Sequence, residues 1–137
     1  MKALMESNVY SLRGKVLIAG ACLPEVWPDA FEAIASRATQ IYSLCLENSH
    51  INMAVTKLTA ALGTGQIKRI WLASVDRSPH CVQMHYIRHE IERVLPRHVP
   101  MESFVCTKEG VTPVTEEAVA LSKSLATLSK MTKEAEK

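Results

Sequence analysis

A chain of 137 residues, 47% hydrophobic and 22% charged, has the size and balance of one globular domain that buries its own core, which excludes a wholly disordered chain. A net charge of +2 and only 5% aromatic residues, with no interleaving of basic and aromatic side chains, argue against nucleic acid or an anionic membrane as partner. The longest apolar run, Val16 to Leu23, falls far short of the ~20 residues that span a bilayer.

In chain order, residues 1–8 read as a loose end, and Val9 to Leu12 as a short edge strand. Lys15 to Cys22 is a continuous apolar run between Gly14 and Pro24, the pattern of a strand buried on both faces of a parallel sheet. Pro24 and Pro28 open a helix whose inward face is spaced as Phe31, Ile34, Ala38, Ile41 and Cys45. A second helix runs from about Ile51 to Leu62 and stops at Gly63-Thr64-Gly65. Ile67 to Val75 is the second strand. Ser78 then has the chemistry of an N-cap and Pro79 that of a first helical residue, so a third helix is expected from there to Leu95, ended by Pro96. Its core stripe is Met84, Ile87, Ile91, Val94 and Leu95, which puts His85 and His89 on a solvated face with Glu92 and Arg93. Met101 to Thr107 is the third strand. A last helix carries Val114, Ala118, Leu121, Leu125 and Leu128, and residues 130–137 form a loose tail.

Alternating strands and helices specify an α/β fold. The expectation is a single domain over 1–137, a three-layer α/β/α arrangement with helices on both faces of a small, mainly parallel sheet of three to four strands. The most apolar strand, the first, belongs in the middle, giving core order 2-1-3. Ligands of such open sheets bind beyond the carboxyl ends of the strands where strand order reverses. That rule points to Cys22, to Asp76 through Cys81, and to Cys106 through Gly110.

Three kinds of chemistry fit that rim. Cys22, His80, Cys81 and Cys106 are four soft ligands that would suit zinc or an iron–sulfur cluster if order 2-1-3 brings them together, although their spacing matches no metal signature. Alternatively Cys81 at a helix N-terminus is a nucleophile, with His80 or His85 as base and Asp76 as the orienting carboxylate. Thirdly, Arg77 and Ser78 at that terminus hold an anion without catalysis. Against all three stands simple packing, since a free cysteine is among the most often buried residues. Cys45 reads as packing only. Residues 19–24 are not the Gly-x-Gly-x-x-Gly dinucleotide loop, nor does a Gly-Lys-Ser/Thr ending follow Gly65.

The four cysteines are widely spaced with no Cys-x-x-Cys pair, so free thiols in a reducing, cytoplasmic setting are expected. Ala19-Gly20-Ala21-Cys22 has the loose form of a lipoprotein processing site, but the apolar stretch before it is short and Glu6 stands where a leader would be cationic. Three functions are therefore expected, in this order. The first is a small redox or metal-cofactor protein using the cysteine/histidine rim. The second is a cysteine-dependent or anion-binding enzyme centred on Cys81. The third is a non-catalytic oligomerising subunit, a homodimer through an exposed sheet edge or helix face. The implied partner is a small molecule, anion or metal at the rim.

Overall fold

Val16 to Ala19 and Ile70 to Ser74 are the two longest stretches in which every side chain is buried, whichever face of the backbone it leaves from. Such segments are stable only at the centre of a sheet covered on both sides. The computed structural model, which describes residues 1–136, places them side by side. Its strands are β1 (Lys2–Ala3), β2 (Gly14–Gly20), β3 (Gln40–Leu44), β4 (Ile67–Val75), β5 (Met101–Thr107) and β6 (Gly110–Val114). They form one sheet in the order β1-β3-β2-β4-β5-β6, parallel except for the β5–β6 pair. The helices are α1 (Leu23–Val26), α2 (Pro28–Ala35), α3 (Ile51–Gly63), α4 (Tyr86–Val94), α5 (Glu116–Ser122) and α6 (Leu125–Glu136).

The pleat divides the core in two. Val16, Ile18, Ile70 and Leu72 face one layer, where Leu58 of α3 and Ile87 and Ile91 of α4 meet Leu4 and Leu12 of the N-terminal segment. Leu17, Ala19, Trp71 and Ala73 face the other, against Leu23 of α1 and Ala30 and Ile34 of α2. The fold is thus a three-layer α/β/α sandwich, as the sequence predicts. Arg88 of α4 joins α5 through a 2.8 Å ion pair to Glu116. On α6, Leu125 and Met131 are exposed. None of the described helices is long and apolar enough to cross a membrane.

Four expectations need correction. Residues 40–44 are a strand, not the end of a helix: α2 stops at Ala35, and Tyr42 and Leu44 face one core while Ile41 faces the other. The helical spacing through Ile41 and Cys45 is a coincidence of period. Because β3 occupies one side of β2, the strand at 67–75 lies between those at 15–20 and 101–107, so the core order 2-1-3 is overturned. The sheet has six strands, because Gly110–Val114, of which only Val114 is expected in a helix, folds back antiparallel as β6, and β1 adds the far edge. Finally, residues 1–8 are tied down: Lys2 and Ala3 pair with β3, and Leu4 is fully buried, whereas Val9–Ser11 is a 3₁₀ turn. Of the predicted loose tail, residues 130–136 continue α6, and Lys137 lies outside the described residues.

Entry into β2 depends on Gly14. Its φ of +71° is left-handed, and a Cβ there would lie 2.9 Å from Thr39 Oγ1. Thr39 is not free to retreat, since its hydroxyl accepts from the Lys15 N–H and donates to the Lys15 carbonyl. Gly14→Ala is therefore expected to cost about 1–2 kcal/mol in chemical denaturation, from strain plus crowding; an unchanged midpoint would show that the turn relaxes freely.

Candidate functional site

Leaving β1 aside, the chain runs outward from β2 to β3, then returns to the other side of β2 to continue through β4, β5 and β6. Strand order therefore reverses between β2 and β4, and the crevice of an open α/β sheet opens at that point. Here the connections leaving β2, β3 and β4 diverge and leave a cavity of about 250 Å³. Ala21 and Cys22 line it after β2, Cys45 and Glu47 after β3, and His80 and Cys81 after β4.

Each thiol has its own reason for being there. Cys22 lies in the turn from β2 into α1 and is exposed. Cys45, half-buried, immediately follows β3. Cys81 sits over the end of β2 because Gly20 has no side chain: a Cβ on Gly20 would come within 3.0 Å of Cys81 Sγ. The Cys81 N–H donates to Ser78 Oγ at 3.3 Å, so Ser78 does cap this turn. Pro79 nevertheless does not begin an α-helix. Residues Cys81–His85 form a 3₁₀ turn, and α4 starts only at Tyr86, which removes the strong helix N-terminus expected beside the thiol.

The structure separates several residues that sequence reasoning grouped. Cys106 is fully buried in the α1/α2 layer with Leu17, Ala19 and Phe104, whereas Cys81 belongs to the crevice on the far side of β4. With β4 between β2 and β5, Cys106 is two strand spacings from β2, roughly 10 Å. The set Cys22, His80, Cys81 and Cys106 is therefore not assembled as a zinc or cluster site, and no group of three or more His, Cys, Asp or Glu suited to a metal occurs among the described residues. His80 turns toward Glu47, 3.8 Å away, with both side chains half-exposed or more. Asp76, exposed, stands with Arg77 on two neighbouring hollows and not on the thiol crevice. A Cys81–His80–Asp76 relay is thus not formed. Arg77 has a φ of +67°, the left-handed region that a non-glycine residue seldom adopts, and it is exposed beside Asp76. The anion site at Arg77 and Ser78 has, in this geometry, an acidic neighbour of opposite charge.

Two residues were undervalued from sequence. Cys45 lines the crevice, which only the recognition of β3 as a strand would have revealed. His85, placed by the helical wheel on a solvated face, is 3% exposed, because the 3₁₀ turn rotates it relative to an α-helical frame. Its Nε2 lies 2.7 Å from Ser74 Oγ. Val94, assigned to the core, is 63% exposed.

Burial holds the His85 imidazole down to about 4 from its ordinary 6.5. The unfolded chain takes up this proton near pH 6.5, the folded one only near pH 4. The stabilising effect of keeping the ring neutral is full above 6.5 and lost as pH falls to 4, about 3 kcal/mol for one such group. Urea denaturation across that window should show this slope, and His85→Gln should flatten it; identical slopes would refute the assignment. Burial likewise pushes the Cys106 thiol up to about 11. In native protein, iodoacetamide should alkylate Cys22 first and leave Cys106 unmodified until the chain unfolds; peptide mapping that found Cys106 labelled alongside Cys22 would contradict the packing described.

Comparison with known proteins agrees with this topology. Nothing among the curated proteins or the solved structures matches the chain. A family model described as a Rossmann-like domain matches residues 11–137, everything from the approach to β2 through the C-terminal helices. This chain belongs to the Rossmann-like domain family.

Proposed function

We propose that the chain is a small redox-thiol protein that binds a compact, largely apolar molecule in the crevice between the ends of β2, β3 and β4. The observation that carries this reading is that three of the four cysteines, Cys22, Cys45 and Cys81, line one cavity at the strand-order reversal. Two physical points support it. The cavity wall also includes Val26, Leu44 and Val75, so a bound ligand body would be desolvated against apolar surface. Its thiols also differ in exposure, with Cys22 open to solvent and Cys45 and Cys81 set into the wall. That is the arrangement in which one thiol meets a substrate and another resolves the adduct.

The chemistry is thiol–disulfide exchange. A crevice thiol gives up its proton, and the thiolate attacks one sulfur of a small disulfide. The ligand S–S bond breaks, a mixed disulfide forms, and the departing thiolate takes up the proton. A second crevice thiol then attacks the protein sulfur of the mixed disulfide. An intramolecular disulfide forms, the second ligand half leaves as a thiol, and the protein has been oxidised by two electrons as the ligand is reduced. Glu47 and His80 stand at the same cavity as a polar pair that a ligand must pass or displace.

The test uses 2,2′-dithiodipyridine, an aromatic disulfide. Native protein should release both halves of the reagent per event and acquire a disulfide between two of Cys22, Cys45 and Cys81, found by peptide mapping, with Cys106 still reduced. Replacing either partner by Ser should halt the reaction at the mixed disulfide. Mixed disulfides alone in the unsubstituted protein, spread over all accessible thiols, would refute the proposal.

A further inference from the structure

The loop that closes the thiol crevice has a second hollow on its other side. This cleft, about 320 Å³, is lined by Ser74, Val75, Arg77, Pro79, Val82 and His85, among others. Most of that wall is hydrocarbon, but two of its residues are polar and nearly inaccessible. Ser74 is 1% exposed and His85 3%, and Ser74 Oγ lies 2.7 Å from His85 Nε2. The other ring nitrogen, Nδ1, is buried and has no hydrogen-bond partner among the described residues. Folded proteins seldom leave such an atom unpaired, because its lost hydration is then not repaid. The backbone supplies a separate sign: Arg77 in the cleft wall holds a left-handed φ of +67°, and strained residues of this kind collect at ligand-binding loops.

The chemistry narrows what would fit. Burial keeps the ring neutral, so the cleft's inner end offers no cation to a carboxylate or phosphate. Asp76 and Arg77, the charged residues of the wall, are exposed and opposite in sign, so they draw in neither kind of ion. If the Ser74 hydroxyl donates to Nε2, then Nδ1 carries the hydrogen and needs an acceptor; in the other tautomer it needs a donor. A hydroxyl answers both. In size, an apolar cavity of about 150 Å³ already accommodates benzene, so this cleft has room for one substituted ring.

We propose that the cleft between the Asp76–Pro79 loop and the Cys81–His85 turn is a second binding site, for a compact, uncharged molecule with a phenol-like hydroxyl on an apolar ring, whose hydroxyl pairs with His85 Nδ1. It does not rest on the thiol reading: the two cavities share Val75 and Ser78, but His85 lines only this one and Cys45 only the other.

Phenol itself is the probe, with toluene as the analogue that lacks the hydroxyl. Protein labelled with ¹⁵N-histidine should show a saturable shift of the His85 ring nitrogens with phenol. Toluene should bind at least ~5-fold more weakly, the loss that goes with one buried hydrogen bond. Val82→Trp, a change at an exposed wall position, should obstruct the cleft and weaken phenol binding ~10-fold or more without disturbing the fold, as circular dichroism would verify. Cys45→Ser should leave phenol binding unchanged. The proposal is overturned by the absence of a saturable shift, by equal binding of phenol and toluene, or by undiminished binding in Val82→Trp. Loss of binding in Cys45→Ser overturns it too, because it would place phenol in the thiol crevice.

Discussion

The pairing of β2 with β4, from Val16 opposite Ile70 to Ala19 opposite Ala73, fixes the position of every group discussed above. Both strands bury side chains on both faces, so a slip of one residue would exchange the two cores wholesale, and register is tightly held. At the carboxyl end the ladder runs out at Ala19 and Ala73, after which Gly20 and Ser74 are the next residues on the α3/α4 side. Gly20 leaves room there for Cys81, and Ser74 meets His85. The short 3₁₀ turn Cys81–His85 therefore docks at both ends on adjacent strands, through a missing Cβ on one and a hydroxyl on the other. The two cavities lie where they do because that turn is held in this way.

Much of the fold was legible because its central strands are unambiguous. Ile67–Val75 and Met101–Thr107 coincide with the segments predicted as strands, and α3 with its predicted span to within a residue. What failed was a segment with two valid readings. Phe31, Ile34, Ala38, Ile41 and Cys45 satisfy helical spacing, yet Gln40–Leu44 also alternates, with Tyr42 and Leu44 on one side and Ile41 on the other. Short apolar runs do not choose between the periods; the sheet chooses, since β2 would otherwise expose an edge where β3 now pairs. That single misreading displaced a strand, changed the order of the sheet, and moved Cys106 from the strand beside β2 to one two places away.

The candidate site was legible in part for the same reason. The rule about strand ends leads to the segments around Cys22 and Cys81, which line one cavity in the structure, because it depends on strand polarity, which the sequence states plainly. It could not include Cys45 without β3. His85 was hidden by a different cause. A helical wheel assumes 100° per residue, whereas a 3₁₀ turn advances about 120°, so a wheel anchored on Ile87 and Ile91 loses its phase before it reaches His85. The wheel holds for α4 itself, where Ile87 and Ile91 are fully buried, and fails one turn earlier.

The two hollows share a wall, Val75 and Ser78, and differ in chemistry on either side of it. On one side are half-buried and exposed sulfurs; on the other, a neutral imidazole and a hydroxyl below an apolar cleft. Arg77 lies in the same loop with its backbone in a left-handed conformation that costs of the order of 1 kcal/mol or more for a non-glycine residue. The Ser78 hydroxyl accepts from the Cys81 N–H, and the Ser78 carbonyl accepts from the Val82 N–H, so the loop's geometry sets the start of the turn that carries both Cys81 and His85. A ligand that seated against His85 would press on the same turn whose first residue is the crevice thiol. Coupling between the sites, if each binds, would then require no long path: it would act through the backbone of five residues, Cys81 to His85, and through the hydrogen bonds of Ser78.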